Sequence, residues 1–212
     1  MTRRFFGSLA ISACMFGLGL APGRALGDDK KGEKPAVPMC PIMDEPVDFT
    51  VSTPTDTGPV FFCCPGCIKK YNKEPEKYAE KAAAQRKLLA ERSKVQVSCP
   101  MCGKPVNTDT FVEIDGKQVF FCDAGCADQY KAKAAEYASK LANSYTYQTI
   151  CPVMKEEIDP AVFVDLPTEQ RIYLCCKKCQ KRFGENPLKY RDQLASQGVH
   201  LDEKALKTGG GN

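Results

Sequence analysis

One octapeptide pattern occurs three times in this 212-residue chain and limits its fold more than any other feature. The copies are Val60-Phe61-Phe62-Cys63-Cys64-Pro65-Gly66-Cys67, Val119-Phe120-Phe121-Cys122-Asp123-Ala124-Gly125-Cys126 and Ile172-Tyr173-Leu174-Cys175-Cys176-Lys177-Lys178-Cys179. Each is a short apolar, strand-like run that delivers a thiol, then a second thiol four residues on, where a helix can begin. A further cysteine precedes each copy at a nearly fixed distance. Cys40 to Cys63 is 23 residues, Cys99 to Cys122 is 23, and Cys151 to Cys175 is 24. Matching thiol offsets in three repeats predict three structurally equivalent sites. The expected fold class is α+β, with three small modules, each a β-hairpin plus a helix, joined by helical linkers.

The pattern also divides the chain. Module 1 spans 39–94, module 2 spans 95–143 and module 3 spans 144–195. A charged leader at 28–38 and a polar tail at 196–212 are expected to be flexible. Strands are predicted at 47–51 and 60–63, at 111–114 and 117–122, and at 161–166 and 171–175. Asp115-Gly116 is a strong tight-turn signal in the second hairpin. Tyr71, Tyr130 and Phe183 follow the second octapeptide thiol by four residues, and Tyr78, Tyr137 and Tyr190 by eleven. Phe62, Phe121, Tyr71, Tyr130 and Phe183 are expected to be small-core residues that pack hairpin against helix. Pro75 and Pro187 restart a helix at the +8 position, where module 2 has Ala134, so the helix start there is in question. The Ala-, Lys- and Glu-rich stretch 76–92 is expected to be a helix with a solvated face linking modules. His200 falls outside the register and is expected to be solvated.

Residues 1–27 have the make-up of an export signal. Arg3 and Arg4 form a positive start, 5–21 is mostly apolar and rich in glycine, and Ala25-Leu26-Gly27 is a small-residue cleavage site. Thr2-Arg3-Arg4-Phe5-Phe6 partly matches a twin-arginine signal, which would export the protein already folded. An ordinary secretory signal fits as well, and Ile11-Ser12-Ala13-Cys14 offers a weaker lipoprotein-anchor reading. The apolar run is short and broken by Gly and Pro, against a membrane span. The expected location is the periplasm or another exported compartment. Three arginines lie in this segment, so 27 of the 30 basic residues remain beyond it, against 26 acidic ones. That near-neutral balance is no electrostatic footprint for nucleic acid.

Twelve of the thirteen cysteines lie beyond the signal. A chain so rich in cysteine, with no Trp, is expected to close its small modules with metal or disulfides. Each module carries four thiols, but not at the same places. In modules 1 and 3 the fourth is Cys64 or Cys176, directly after the strand cysteine, and the third residue after the opening cysteine is Met43 or Met154. In module 2 the residue after the strand cysteine is Asp123, and Cys102 stands in the opening motif instead. The candidate ligands are therefore Cys40, Met43, Cys63, Cys64 and Cys67, then Cys99, Cys102, Cys122 and Cys126, then Cys151, Met154, Cys175, Cys176 and Cys179. Four thiolates around one ion are the usual setting for Zn²⁺. The added thioethers favour Cu⁺ or a similar soft ion. Up to one ion per module is expected. No Ser/His/Asp set, carboxylate pair or phosphate loop stands out, and a single His limits acid–base chemistry.

The opening Cys-Pro-x-Met/Cys, the hairpin, the aromatic-Cys-x3-Cys and the following Tyr/Phe-x3-Pro-x2-Tyr resemble the treble-clef domains of the TRASH and YHS families. The likeness covers about 150 residues as three tandem copies. It implies a treble-clef-like fold, a metal-binding or metal-sensing role, and ligands at Cys40, Cys63 and Cys67, at Cys99, Cys122 and Cys126, and at Cys151, Cys175 and Cys179. The function expected is a non-enzymatic, exported protein that holds zinc or copper for buffering, delivery or resistance. A metal transporter or another exported protein is the expected partner besides the ions. Three alternatives stay open: a structural-zinc interaction scaffold, a disulfide-stapled framework, and thiol redox work at Cys64-Pro65-Gly66-Cys67 and Cys176-Lys177-Lys178-Cys179. Vicinal cysteines pair poorly, and Cys-x3-Cys spacing is marginal for a bridge.

Overall fold

The apolar run of each octapeptide is the second strand of an antiparallel hairpin. The computed structural model describes residues 37–208. Its hairpins are β1 (Asp48–Thr53) with β2 (Val60–Phe62), β4 (Asn107–Ile114) with β5 (Lys117–Phe121), and β7 (Asp159–Asp165) with β8 (Arg171–Leu174). A fourth ladder, β3 (Val95–Gln96) with β6 (Tyr145–Thr146), ties the start of the second repeat to the start of the third. The export and lipoprotein motifs within residues 1–27, residues 28–36 of the leader and Gly209-Gly210-Gly211 lie outside the described residues.

Each hairpin breaks register once, at the same place. The pairs on either side of the break are Asp48–Phe62 and Ser52–Phe61, Asn107–Phe121 and Phe111–Phe120, and Asp159–Leu174 and Phe163–Tyr173. Such a bulge bends the strand. An Asp or Asn opens it each time, because its side chain accepts the backbone N–H two residues on: Thr50 to Asp48 at 2.8 Å, Asp109 to Asn107 at 3.0 Å and Ala161 to Asp159 at 2.9 Å. In the second hairpin Asp115 and Gly116 both have positive φ, 50° and 72°, as a tight two-residue turn requires.

A helix starts directly after each hairpin: α1 (Pro65–Lys73), α3 (Ala124–Lys133) and α5 (Lys177–Glu185). A 3-10 turn follows, at Pro75–Tyr78, Ala134–Tyr137 and Pro187–Tyr190, leading into α2 (Ala79–Ala90), α4 (Ala138–Ala142) and α6 (Arg191–Ala195). The middle turn forms without the proline. Ring pairs Tyr71–Tyr78, Tyr130–Tyr137 and Phe183–Tyr190, with centroids 6.4, 6.2 and 5.8 Å apart, recur in all three. Helix α2 differs from a fully solvated connector, because Ala82, Gln85 and Leu89 are buried along one face.

The first and third repeats share one hydrophobic core. Phe62, Val60, Ile172, Leu174, Phe183 and Leu194 are among its fully buried members. Where they meet, Phe49 stacks on Tyr147 with centroids 5.0 Å apart and meets Phe61 edge-on at 5.2 Å. The middle repeat keeps a separate, smaller core of Cys99, Val119, Phe121, Ala127 and Tyr130. The segment after 196 differs from the flexible tail expected of it. Val199 is buried, Leu201 and Leu206 lie against the shared core, and Glu203–Thr208 forms a short helix, α7. Backbone bonds hold this segment, with Phe49 N donating to Gly198 O at 2.8 Å and His200 N donating to the Asp48 carboxylate at 3.2 Å. The His200 side chain itself is exposed. No helix among the described residues is long and apolar enough to cross a membrane.

Candidate metal centres

Three local structures bring the thiols of each repeat together. The first is a tight turn after the opening cysteine. Cys40 N donates to Glu45 O at 2.7 Å and Asp44 N to Cys40 O at 3.0 Å; the same pair of bonds recurs around Cys99 (2.7 and 2.8 Å) and Cys151 (2.7 and 2.9 Å). Closing the turn needs a left-handed residue four past the cysteine, and Asp44, Gly103 and Lys155 fill it with φ of 56°, 74° and 62°. The second structure is the end of the hairpin, which delivers Cys63, Cys122 and Cys175. The third is the first turn of the helix, which delivers Cys67, Cys126 and Cys179.

The result is three sulfur clusters that could each hold a metal ion. Cys40, Cys63 and Cys67 lie with their Sγ atoms within 4.8 Å of one another, as do Cys151, Cys175 and Cys179. In the middle repeat the group has four members, Cys99, Cys102, Cys122 and Cys126. Neighbouring sulfurs are 3.7 Å apart for Cys63–Cys67, 3.3 Å for Cys102–Cys122, 3.6 Å for Cys122–Cys126 and 3.5 Å for Cys175–Cys179. Four sulfurs at about 2.3 Å from one ion stand about 3.8 Å apart, so these spacings suit an ion. A disulfide needs about 2.05 Å. No disulfide forms among the twelve described cysteines.

Cys64 and Cys176 stand beside these triads, not within them. Each is the N-cap of its helix, the place that Asp123 takes in α3. Asp123 caps in the usual way, accepting Cys126 N at 2.9 Å. Cys64 Sγ lies 3.6 Å from Cys67 Sγ and is exposed; Cys176 Sγ lies 3.9 Å from Cys175 Sγ. Met43 and Met154 hold the turn position of Cys102 and are about half exposed, 53% and 49%. The sequence pattern of four sulfurs per repeat therefore resolves into a closed group of four in the middle and groups of three, each with one further thiol alongside, on either side.

The thiols of one cluster differ electrostatically. Burial would raise Cys40, Cys99 and Cys151, but backbone N–H groups around each sulfur more than offset it and hold these thiols below their ordinary value. Backbone N–H groups of the helix starts, those of Cys67 and Cys179 foremost, hold Cys64 and Cys176 low as well. Burial and neighbouring sulfurs push Cys63 up to about 11, and burial foremost pushes Cys126 and Cys179 up to about 11. Cys67, Cys122 and Cys175 are also raised, by burial first and then by their neighbours. A cation that binds such crowded thiols displaces their protons.

Three buried glutamines, which the sequence reading missed, hold the first two structures in place. Gln148 accepts Tyr173 N at 2.9 Å and donates to Tyr173 O at 2.6 Å and Ile150 O at 3.4 Å. Gln96 makes the same set with Phe120 (2.9 and 2.7 Å) and Ser98 O (3.2 Å). In the first repeat the glutamine is Gln85 from helix α2, bonded to Phe61 N, Phe61 O and Met39 O, all at 2.9 Å. Each amide acts as one residue of an extra strand. It pairs the second hairpin strand and reaches the residue before the opening cysteine. A signal for two of them was available, since Gln96 and Gln148 each stand three residues before that cysteine. Gln85 had no such signal, because it comes from 45 residues beyond Cys40.

Comparison with known proteins adds no relative: no protein-family model, curated protein or solved structure matches this chain.

Proposed function

We propose that this is an exported, non-enzymatic metal-binding protein that holds zinc or copper ions on cysteine clusters, for buffering, delivery or resistance. The observation that carries the reading is the convergence of ten unbridged thiols into three clusters at ion-sized spacing, with Cys64 and Cys176 alongside. Each repeat would then be a treble-clef-like module of the TRASH/YHS kind, supported by the shared turn, hairpin and helix that bring its thiols together. Export to the periplasm rests on the make-up of residues 1–27, and a metal transporter or another exported protein would be the partner. Binding would exchange thiol protons for the cation, so affinity rises with pH through the range where the raised thiols, such as Cys63 at about 11, would otherwise keep their protons.

A second reading, a structural-zinc scaffold, draws support from the middle repeat, whose four thiols form a closed group of the structural type. Elemental mass spectrometry on the protein purified without chelator or reductant, with a parallel thiol count, tests the proposal. Three bound ions and twelve thiols recoverable after chelation are expected. Metal-free protein with its cysteines oxidised would overturn it.

A further inference from the structure

We propose that the three centres divide the work. The middle centre keeps its ion, while Cys40–Cys63–Cys67 and Cys151–Cys175–Cys179 are open cups that take up and hand on a soft monovalent cation of the Cu(I) type. Cys64 and Cys176 are the thiols through which it enters and leaves. This deepens the metal-binding reading and rests on it.

Three observations carry the division. Cys102 completes a mutual group of four sulfurs in the middle repeat, and a tetrahedral thiolate set is coordinatively full. In the flanking repeats the same turn position holds Met43 or Met154, half exposed, and only three thiols converge. Three thiolates leave an ion able to accept another donor, and soft sulfur ligands favour Cu(I) over harder cations. The third observation is the exchange at the helix N-cap. Where the centre is closed, the cap is a carboxylate, Asp123, engaged with Cys126 N and with Cys122 Sγ at 3.1 Å. Where it is open, the cap is a thiol 3.6 or 3.9 Å from a cluster sulfur.

That geometry gives a transfer route in which atoms and charge balance. The Cys64 thiolate forms a metal–sulfur bond to a cation held by an outside donor while the bond to that donor breaks. The ion then passes to Cys67 and its partners as the Cys64 bond is released. No oxidant or reductant takes part, and the protons displaced from Cys40, Cys63 and Cys67 go to solvent. The middle repeat lacks this step, because Asp123 offers a hard oxygen donor where the others offer sulfur.

The test uses the full chain, zinc-loaded, then titrated anaerobically with Cu(I) and challenged with a Cu(I) chelator. Two equivalents of Cu(I) are expected to bind and leave quickly while one zinc stays. Timed alkylation read by peptide mass spectrometry should find Cys99, Cys102, Cys122 and Cys126 protected longest. A Cys64→Ser/Cys176→Ser variant puts a hydroxyl at each N-cap and should keep the same stoichiometry, but exchange about tenfold or more slowly. A Cys102→Met variant should turn the retained ion into a third exchanging one. Three ions leaving at one rate, or wild-type exchange in the double serine variant, would overturn the division while leaving metal binding intact. A chain that binds no metal would overturn both.

Discussion

The middle repeat and its two neighbours are built on one plan but are stabilised differently. The first and third repeats share a core of nineteen buried residues, whereas the middle repeat has five of its own. The repeat with the smaller core has the larger sulfur group. Small domains cannot bury enough apolar surface to hold themselves together, and a bound ion supplies what burial does not. The flanking repeats share their core, so on the proposed reading their thiols are free to remain an incomplete coordination set. The comparison teaches that the number of converging thiols and the size of the core can vary inversely within one chain.

Removing the metal should have the largest effect and should fall unevenly. Structural zinc contributes roughly 10–16 kcal/mol to folding in isolated zinc-finger peptides. After chelation, amide exchange should rise first around Val119 and Phe121, while Phe62, Ile172 and Leu174 stay protected. Equal loss of protection in all three repeats would break the comparison.

A glycine pair sharpens it at a smaller scale. Gly198 has φ +78°, and a Cβ there would stand 2.7 Å from the Phe49 ring. Gly198→Ala should cost about 2–3 kcal/mol in urea unfolding, from left-handed strain plus overpacking where the outer repeats meet. Gly103 in the middle repeat has a similar φ, +74°, with nothing within 4 Å of a Cβ. Gly103→Ala should cost only the strain, about 1 kcal/mol, as the left-handed Asp44 and Lys155 at the equivalent positions indicate. Equal costs would mean that the outer repeats are not held together at Gly198.

The smallest expected effect concerns the N-caps. Asp123→Ala removes the carboxylate that accepts Cys126 N and should lower the melting temperature slightly. The Cys64 side chain makes no cap hydrogen bond, so Cys64→Ser should change the melting of the metal-free chain less than that. A large loss from Cys64→Ser in the metal-free chain would show the sulfur to be structural.

Much of the site was legible before any coordinates. Nearly fixed offsets between Cys40, Cys63 and Cys67, repeated twice, point to one repeated local geometry, and the hairpins follow from apolar runs bounded by turn residues. The Asp115-Gly116 turn needs no tertiary help. Other features left no local trace. Gln85 replaces a residue 48 positions away, because a carboxamide can complete a strand edge from any direction. The sequence counted four thiols per repeat, but Cys64 and Cys176 serve as helix caps beside their triads, since a thiol after the strand must lie on the cap.

The amino-acid order by itself determined three turns, three hairpins and three places where sulfurs converge, since these depend on neighbours and on steric rules for the backbone. Only the tertiary structure decided that the first and third repeats share a core, that the segment around Val199 completes it, and that Asp48 is buried under Gln170 and His200 N. The Asp48 contacts join residues more than 100 positions apart. Polar and apolar patterns within one repeat show which face is buried, but they do not say against what.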